Sequence, residues 1–464
     1  MPATSNNVIA RHHLLDQLAS ARQRTDEIFS IVRPEYLYER PIAERHRIVF
    51  YIGHLEAFDW NLFHDRVLKL KRFNPDLDRL FAFGIDPVGG GLPTDQPSDW
   101  PSLAAIHDYV SRVRTVLDDS LSDVLAGSED HLFEGFPLAT LLNVAIEHRR
   151  MHAETLAYMF HQLPLDHKIS GGPSAFAPAS SLQHRSLEIP EGKIILGLSR
   201  SSGQFGWDNE FESHSVEVPA FAIDQYKVTN GQYLEFVEAG GYDTLSYWEH
   251  SDDTGSKNAD WMWKTEHKIS HPAFWKRDGN QWLYRTMFAE IPLPPDWPVY
   301  VSQAEAKAFA KWAGKSLPSE AEWQRAAYAT PDRGQRSYPW GEESPRPSLG
   351  NFDFASWNPT PVNAFPQNQS AFGVRDLLGN GWEWTSTVFS PFPGFEPFPF
   401  YRGYSADFFD GKHFVIKGGS ARTAACMLRP TFRNWFQSHY QYMYAGFRCV
   451  TRRSAEKPGK RSAT

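Results

Sequence analysis

The stretch "FPLATLLNVAIEHRRMHAETLAYMFHQLP", residues 136–164, decides how the first third of the chain is read. Its apolar residues recur at intervals of three and four and the run ends at a proline, the pattern of one amphipathic helix. The same period appears in "ARHHLLDQLASARQRTDEIFSIV" (10–32), "HRIVFYIGHLEAFDWNLFHDRVL" (46–68) and "DWPSLAAIHDYVSRVRTVLDDSL" (99–121), where Pro101 stands just inside a helix start. Four such segments predict a four-helix bundle over residues 8–163. The connection "RFNPDLDRLFAFGIDPVGGGLPTDQPSDWP" (72–101) is too long for a simple turn, and loops of that length are often functional.

Beyond the bundle the texture changes. Residues 164–187 are rich in Ser, Ala, Gly and Pro and read as a linker. From 188 to 452 short strand-like runs such as "KIILGLS" and "HSVEVPAFAIDQYKVT" alternate with Gly, Pro and Asn. One clear helix pair stands out, "TNGQYLEFVEAGG" and "SQAEAKAFAKWAGK". The fold class expected is therefore α+β and multidomain, a helical bundle followed by a loop-rich domain. A basic tail, 453–464, follows and is expected to be a disordered end.

Composition narrows the function. A formal charge of -8 with basic excess only in the last residues argues against nucleic acid as a main partner. No run of eighteen apolar residues occurs and the N-terminus lacks a signal-peptide core, so a cytoplasmic protein without membrane partners is expected. Two cysteines, Cys426 and Cys449, are too few for a disulfide framework. The 14% aromatic content, with 16 Trp, suits a loop-rich fold pinned by aromatic anchors and also a pocket for an organic cation.

Within the opening stretch, His148 and His152 lie four apart and so share one helix face. His54, in the apolar helix "FYIGHLEAFDW", is a third imidazole with few polar neighbours. Three histidines from two helices would leave coordination positions open, as a catalytic metal requires, and they suit Zn(II) as well as Fe(II). The other bundle histidines, His12, His13, His46, His64, His107, His131 and His161, sit among charged residues and read as surface groups. Glu154 is either a group that orients an imidazole or a solvated residue.

The C-terminal half resembles the formylglycine-generating-enzyme-like (sulfatase-modifying-factor, C-type-lectin-like) domain. The resemblance rests on "FAIDQYKVTNGQYLEFVEAGGY", "PVYVSQAEAKAFAKWAGKSLPSEAEWQRAA", "YPWG", "FGVRDLLGNGWEWTS", "VIKGGS" and "AGFRCV". The N-terminal half resembles the DinB-like bundle that precedes this domain in the hercynine oxygenases, the nonheme-iron sulfoxide synthases of ergothioneine biosynthesis. Their pattern of one histidine followed much later by His-x-x-x-His-x-Glu matches His54, His148, His152 and Glu154, and implies Fe(II) as cofactor. Copper-dependent formylglycine generators use paired cysteines after the Gly-Gly-Ser turn. Here "GGSARTAACMLR" offers Cys426 alone, and Cys449 belongs to the "GFRC" block.

The resemblance further implies that "RPTFRNWF" lines a trimethylammonium pocket through Asn434 and Trp435, and that Tyr401 or Tyr404, Tyr401 by preference, is the catalytic tyrosine. Either tyrosine taken alone fits equally a group that packs a loop-rich core. Met151 stands where many members carry Gln, and Phe436 where members that use gamma-glutamylcysteine carry Asp. The 72–101 loop lacks the Tyr- and Arg-rich stretch of those members. The implied substrates are hercynine, O2 and a thiol or selenosugar donor, with product either a sulfoxide or, as in selenoneine synthases, a carbon-selenium adduct. A noncatalytic ligand-binding protein and a zinc thiol transferase built on the bundle alone are the alternatives, and the expected assembly is a monomer or weak homodimer.

Overall fold

A computed structural model of the chain describes residues 3–82, 92–126, 132–169, 171, 182–249 and 258–452. The basic tail, the middle of the 72–101 connection, His131 and linker residues 172–181 lie outside the described residues. The chain divides into two compact units. The first comprises residues 1–173 with 287–289 and 398–402; the second comprises 174–286, 290–397 and 403–464.

The first unit is a helical bundle of α1 (Ala3–Phe29), α2 (Ile48–Phe63), α4 (Leu103–Ala126) and α5 (Leu138–Gln162), with α1 packed on α5 and α2 on α4. In α4 the buried residues Ile106, Tyr109, Val113, Leu117, Leu121 and Leu125 follow a spacing of three and four, so one stripe faces the core. By contrast α2 is buried nearly all round, as befits a helix at the centre of a bundle. The 72–101 connection contains α3 (Pro75–Leu80), started by Pro75 and by an Asn74 side chain that accepts from Leu77 N at 3.2 Å. A short hairpin, β1 (Leu132–Phe133) with β2 (Phe136–Pro137), leads into α5.

Two expectations need correction. His64 and His161 are buried rather than on the surface. His64 Nδ1 meets the Trp60 carbonyl at 2.9 Å and its Nε2 accepts from Arg72 at 3.1 Å, so its polar atoms are satisfied inside. The stretch read as linker also carries structure at both ends. Lys168 bridges to Val32, and Ser186 opens a strand.

The second unit is built from small sheets and capped helices. β3 (Ser186–Ile189), β6 (Phe221–Asp224) and β14 (Val450–Arg452) form an antiparallel sheet centred on β6, while β4 (Gly192–Leu196) pairs with β5 (His214–Val218). After α6 (Asn230–Glu238), α7 (Leu245–Trp248) and α8 (Ala259–Glu266) comes the three-stranded β7 (Trp275–Asp278), β8 (Gln281–Arg285) and β9 (Glu290–Pro292). Next are α9 (Gln303–Trp312) and α10 (Glu320–Tyr328). A mixed sheet of β10 (Trp382–Val388), β11 (His413–Lys417), β12 (Asn434–Gln437) and β13 (Ala445–Gly446) follows in the order β12-β11-β10-β13. Capping boxes at Thr229/Gln232, Ser302/Glu305 and Ser319/Glu322 start α6, α9 and α10. Thus α10 joins the anticipated helix pair. Trp323 and Tyr328 of α10 enter a core with Ile223, Val374 and Leu377.

Candidate metal centre

His54 projects from α2 and His148 and His152 from α5, and all three are buried. One ring nitrogen of each lies within 4.8 Å of the others. Nε2 of His148 and Nε2 of His152 are 3.2 Å apart, the separation of two nitrogens each about 2.1 Å from one ion and subtending about 100°. Nδ1 of His54 is 2.7 Å from the Phe81 carbonyl, which fixes its proton there and leaves Nε2 with a lone pair and no partner among the described residues. Among the described residues Nδ1 of His148 and of His152 likewise meet no hydrogen-bond partner. Two nitrogens bound to one ion are at most about 4.2 Å apart, so closing on a metal needs only a small inward turn of the rings.

Electrostatics favour the ligand form. Burial pushes the His54 pKa down to about 4 against the opposing pull of the Phe81 carbonyl, with His46 and Arg149 adding to the fall. Burial is also the main cause for His148 and His152, which lie well below the ordinary imidazole value, reinforced by the neighbouring imidazoles and by Arg149. All three are therefore neutral at physiological pH, as metal coordination requires. The residues fit a divalent ion with open coordination positions.

Aromatic rings wall the cluster. Phe58 stacks on His148 at 3.5 Å between centroids, Phe50 lies over His54 at 4.8 Å, and Tyr51 is 5.8 Å from His152. Tyr401 belongs to the same unit, 5.2 Å from Phe58 and 6.4 Å from His148. Met151 is half-buried on the same helix as the two histidines. Glu154 is buried, so the solvated alternative does not hold. Two residues beyond His152, it stands about 200° round the helix from it.

The α2 and α5 helices are locked by a network that sequence reasoning missed. Arg149 donates to Glu56 at 2.9 Å, to Asp59 at 2.7 Å and to the Leu55 carbonyl at 3.0 Å, and Arg114 reaches Glu56 at 2.7 Å. Arg149, Glu56 and Asp59 are fully buried, so the charges are matched in a site closed to bulk solvent. A legible sign existed: two acids three apart in an otherwise apolar helix must find a buried cation. A second omission is Gly53, where a Cβ would come within 2.5 Å of the Phe81 ring, so the absent side chain lets Phe81 sit on α2.

The remaining expected residues lie in the second unit. Trp435, in β12, stacks on Phe389 at 4.1 Å, with Phe408 at 5.6 Å and Tyr404 at 5.4 Å. Tyr404 is itself stacked on Trp207 at 4.0 Å. Asn434 accepts from the Trp435 backbone at 2.9 Å, and Phe436 stacks on Tyr440 at 5.1 Å. Cys449 is buried and Cys426 exposed, and neither is disulfide-bonded. The structure thus groups Tyr401 with the histidines and Tyr404 with Trp435.

Comparisons with known proteins bear on this geometry. Residues 175–453 match the sulfatase-modifying factor enzyme 1-like domain and residues 17–156 the DinB superfamily. The hercynine oxygenase of Mycolicibacterium smegmatis is 32% identical over 462 residues, covering 95% of this chain and 99% of that protein. The hercynine oxygenase of Mycobacterium tuberculosis is 32% identical over 75% of this chain and 77% of that protein. Ergothioneine biosynthesis protein 1 of Neurospora crassa is 27% identical over 90% of this chain, which spans 55% of that protein.

Proposed function

Because the chain belongs to the hercynine oxygenase family, we propose that it uses Fe(II) and O2 to join a sulfur donor to C2 of the hercynine imidazole, giving a sulfoxide in ergothioneine biosynthesis. It is an oxygenase acting on small molecules, and no helix among the described residues is long and apolar enough to cross a membrane. The observation that carries the proposal is the convergence of three buried, neutral imidazoles from two helices. The noncatalytic reading and the bundle-only zinc transferase give way to a family likeness that spans both halves of the chain.

Bound Fe(II) would supply activation of O2 and a site for the donor sulfur. His54, His148 and His152 would hold it, and the Phe81 carbonyl keeps His54 in the tautomer that presents Nε2. Phe50 and Phe58 cover imidazole faces and exclude water. Tyr401, whose ring centroid lies 6.4 Å from that of His148, carries a phenolic proton and would hand it to the reacting substrate. Trp435, edged by Tyr404 and Phe408, offers an aromatic surface for a trimethylammonium group, with Asn434 beside it as a further substrate contact. Within the first unit, Met151, next to His152 on α5, would be a separate substrate contact.

The donor is the open choice. Phe436 stacked on Tyr440 presents rings where a charged donor would need a carboxylate partner, which favours a small thiol or a selenosugar over gamma-glutamylcysteine. The discriminating experiment follows O2 uptake and product mass with hercynine and each of cysteine, gamma-glutamylcysteine and a selenosugar in Fe(II)-loaded protein. A sulfoxide adduct with one thiol supports the first reading; an adduct with the selenosugar alone makes this a selenoneine synthase. Absence of uptake with every donor contradicts both.

A further inference from the structure

Arg422 lies two residues after Ser420 in "GGSARTAACMLR", within the second unit, and is 1% exposed. Its Nη2 donates to the Trp357 carbonyl and its backbone N–H to Ser420 Oγ at 3.0 Å. The guanidinium lies over the Tyr444 ring, 4.1 Å from its centroid, and 5.7 Å from that of Trp357. Among the described residues Nε and Nη1, both buried, meet no acceptor, and no carboxylate pairs with Arg422.

Other buried arginines of this unit solve the same problem differently. Arg433 pairs with Glu320 and Arg448 with Glu383, while Arg325 directs its three nitrogens to the carbonyls of Pro190, Lys193 and Glu191. A buried charge with neither solution is costly, and cation–π contacts with Tyr444 and Trp357 offset only part of that cost.

A second orphan lies nearby. The hydroxyl of Tyr284, in β8, is fully buried without a hydrogen-bond partner among the described residues, and the Tyr284 ring is linked to Arg422 through Phe274, 6.3 Å from it, and Tyr444, which packs on Phe274 and lies under the guanidinium. Tyr300 and Tyr444 pack together at 5.7 Å, and Phe274 lies 5.5 Å and 5.8 Å from them. Tyr300 has already committed its hydroxyl to the Asn380 carbonyl.

We propose that Arg422 Nε and Nη1, together with the Tyr284 hydroxyl, bind a small monovalent anion of the halide class inside the second unit. All three groups are donors, and an ion that only accepts satisfies them together. One negative charge matches the one guanidinium charge, whereas a divalent anion would leave excess charge among aromatic rings. A water molecule would bring hydrogens of its own that then need acceptors.

The test uses the full chain. Unfolding is followed in sodium chloride, sodium bromide and sodium gluconate at equal ionic strength, and crystals grown in bromide are measured at the bromine absorption edge. Chloride and bromide should raise the unfolding midpoint over gluconate by at least about 2 °C in the unaltered protein, with an anomalous peak at hydrogen-bonding distance from Arg422 and Tyr284. Arg422→Met should abolish the halide effect and equal or exceed the unaltered protein in gluconate, because it removes an uncompensated charge. Tyr284→Phe, which deletes one hydroxyl, keeps the test open if the Met variant does not fold; it should raise the halide concentration needed for half the effect several-fold. Equal midpoints in all three salts, or a bromide crystal with no anomalous peak at Arg422, would overturn the proposal.

Discussion

The Phe81 carbonyl accepts a hydrogen bond from Nδ1 of His54 at 2.7 Å, and the Phe81 ring occupies the space that a side chain at position 53 would need. The orientation of one candidate ligand therefore depends on a glycine one residue before it. Gly53→Ala must push the Phe81 ring, and with it the carbonyl, away from α2. Removing such an orienting contact typically weakens metal affinity about 10- to 100-fold. Competition with a chelator should show a loss in that range while helix content is retained; unchanged affinity would mean that the Phe81 contact does not set the ring.

Arg149 carries the register between the two ligand helices. Arg149→Met would strand Glu56 and Asp59 without their main cation and should cost about 3–5 kcal/mol in urea unfolding of the first unit. Arg150, the next residue, bonds to the exposed Ser20 hydroxyl at 3.0 Å and to no other described residue, and its replacement by Met should change stability by about 0.5 kcal/mol at most. Comparable losses at the two positions would contradict the assigned role.

The two tyrosines should separate cleanly in kinetics. Tyr401→Phe leaves the ring packed against Phe58 but removes the proton, so turnover should fall about 10²- to 10⁴-fold with metal content unchanged. Tyr404→Phe keeps the stack on Trp207 and should hold turnover near that of the unaltered protein. A reversed order of effects would move the catalytic assignment to Tyr404.

Stability of the second unit should respond to acid through Asp260. Its carboxyl accepts from His439 at 2.7 Å and pairs with Lys307 at 2.7 Å, tying α8 to α9 and to the turn after β12. Burial alone would raise the Asp260 pKa, but His439 and Lys307 overcome it and hold it at about 2, below its ordinary 3.8. A depressed acid contributes stability above its unfolded pKa and loses it as pH falls through the folded value. The unaltered protein should thus exceed Asp260→Asn by about 2 kcal/mol at pH 7, with the difference shrinking between pH 4 and pH 2. A difference that does not change with pH would show that the ionised carboxylate contributes nothing.

Much of this was legible before any coordinates. Periodicity named the four bundle helices, and the His148–His152 spacing with His54 on a second apolar helix named the imidazoles that meet. What stayed hidden depends on contacts between distant parts of the chain. Nothing local to Tyr401 indicates that residues 398–402 join the first unit, or that Phe81 reaches back to His54. Arg149 was hidden for a different reason: an arginine in a run of charged and histidine letters looks solvated until its helix is known to be buried on that side. His64 and His161 looked like surface groups for the same reason.

The central claim is that His54, His148 and His152 form one iron site that performs oxygen chemistry on hercynine. Its most direct test is anaerobic Fe(II) loading of the protein and of His152→Ala, followed by iron quantification and hercynine-dependent O2 uptake in the presence of a thiol or selenosugar donor. The account predicts stoichiometric iron and substrate-dependent uptake in the unaltered protein, and loss of both in His152→Ala. Retention of iron and of uptake by His152→Ala would contradict it.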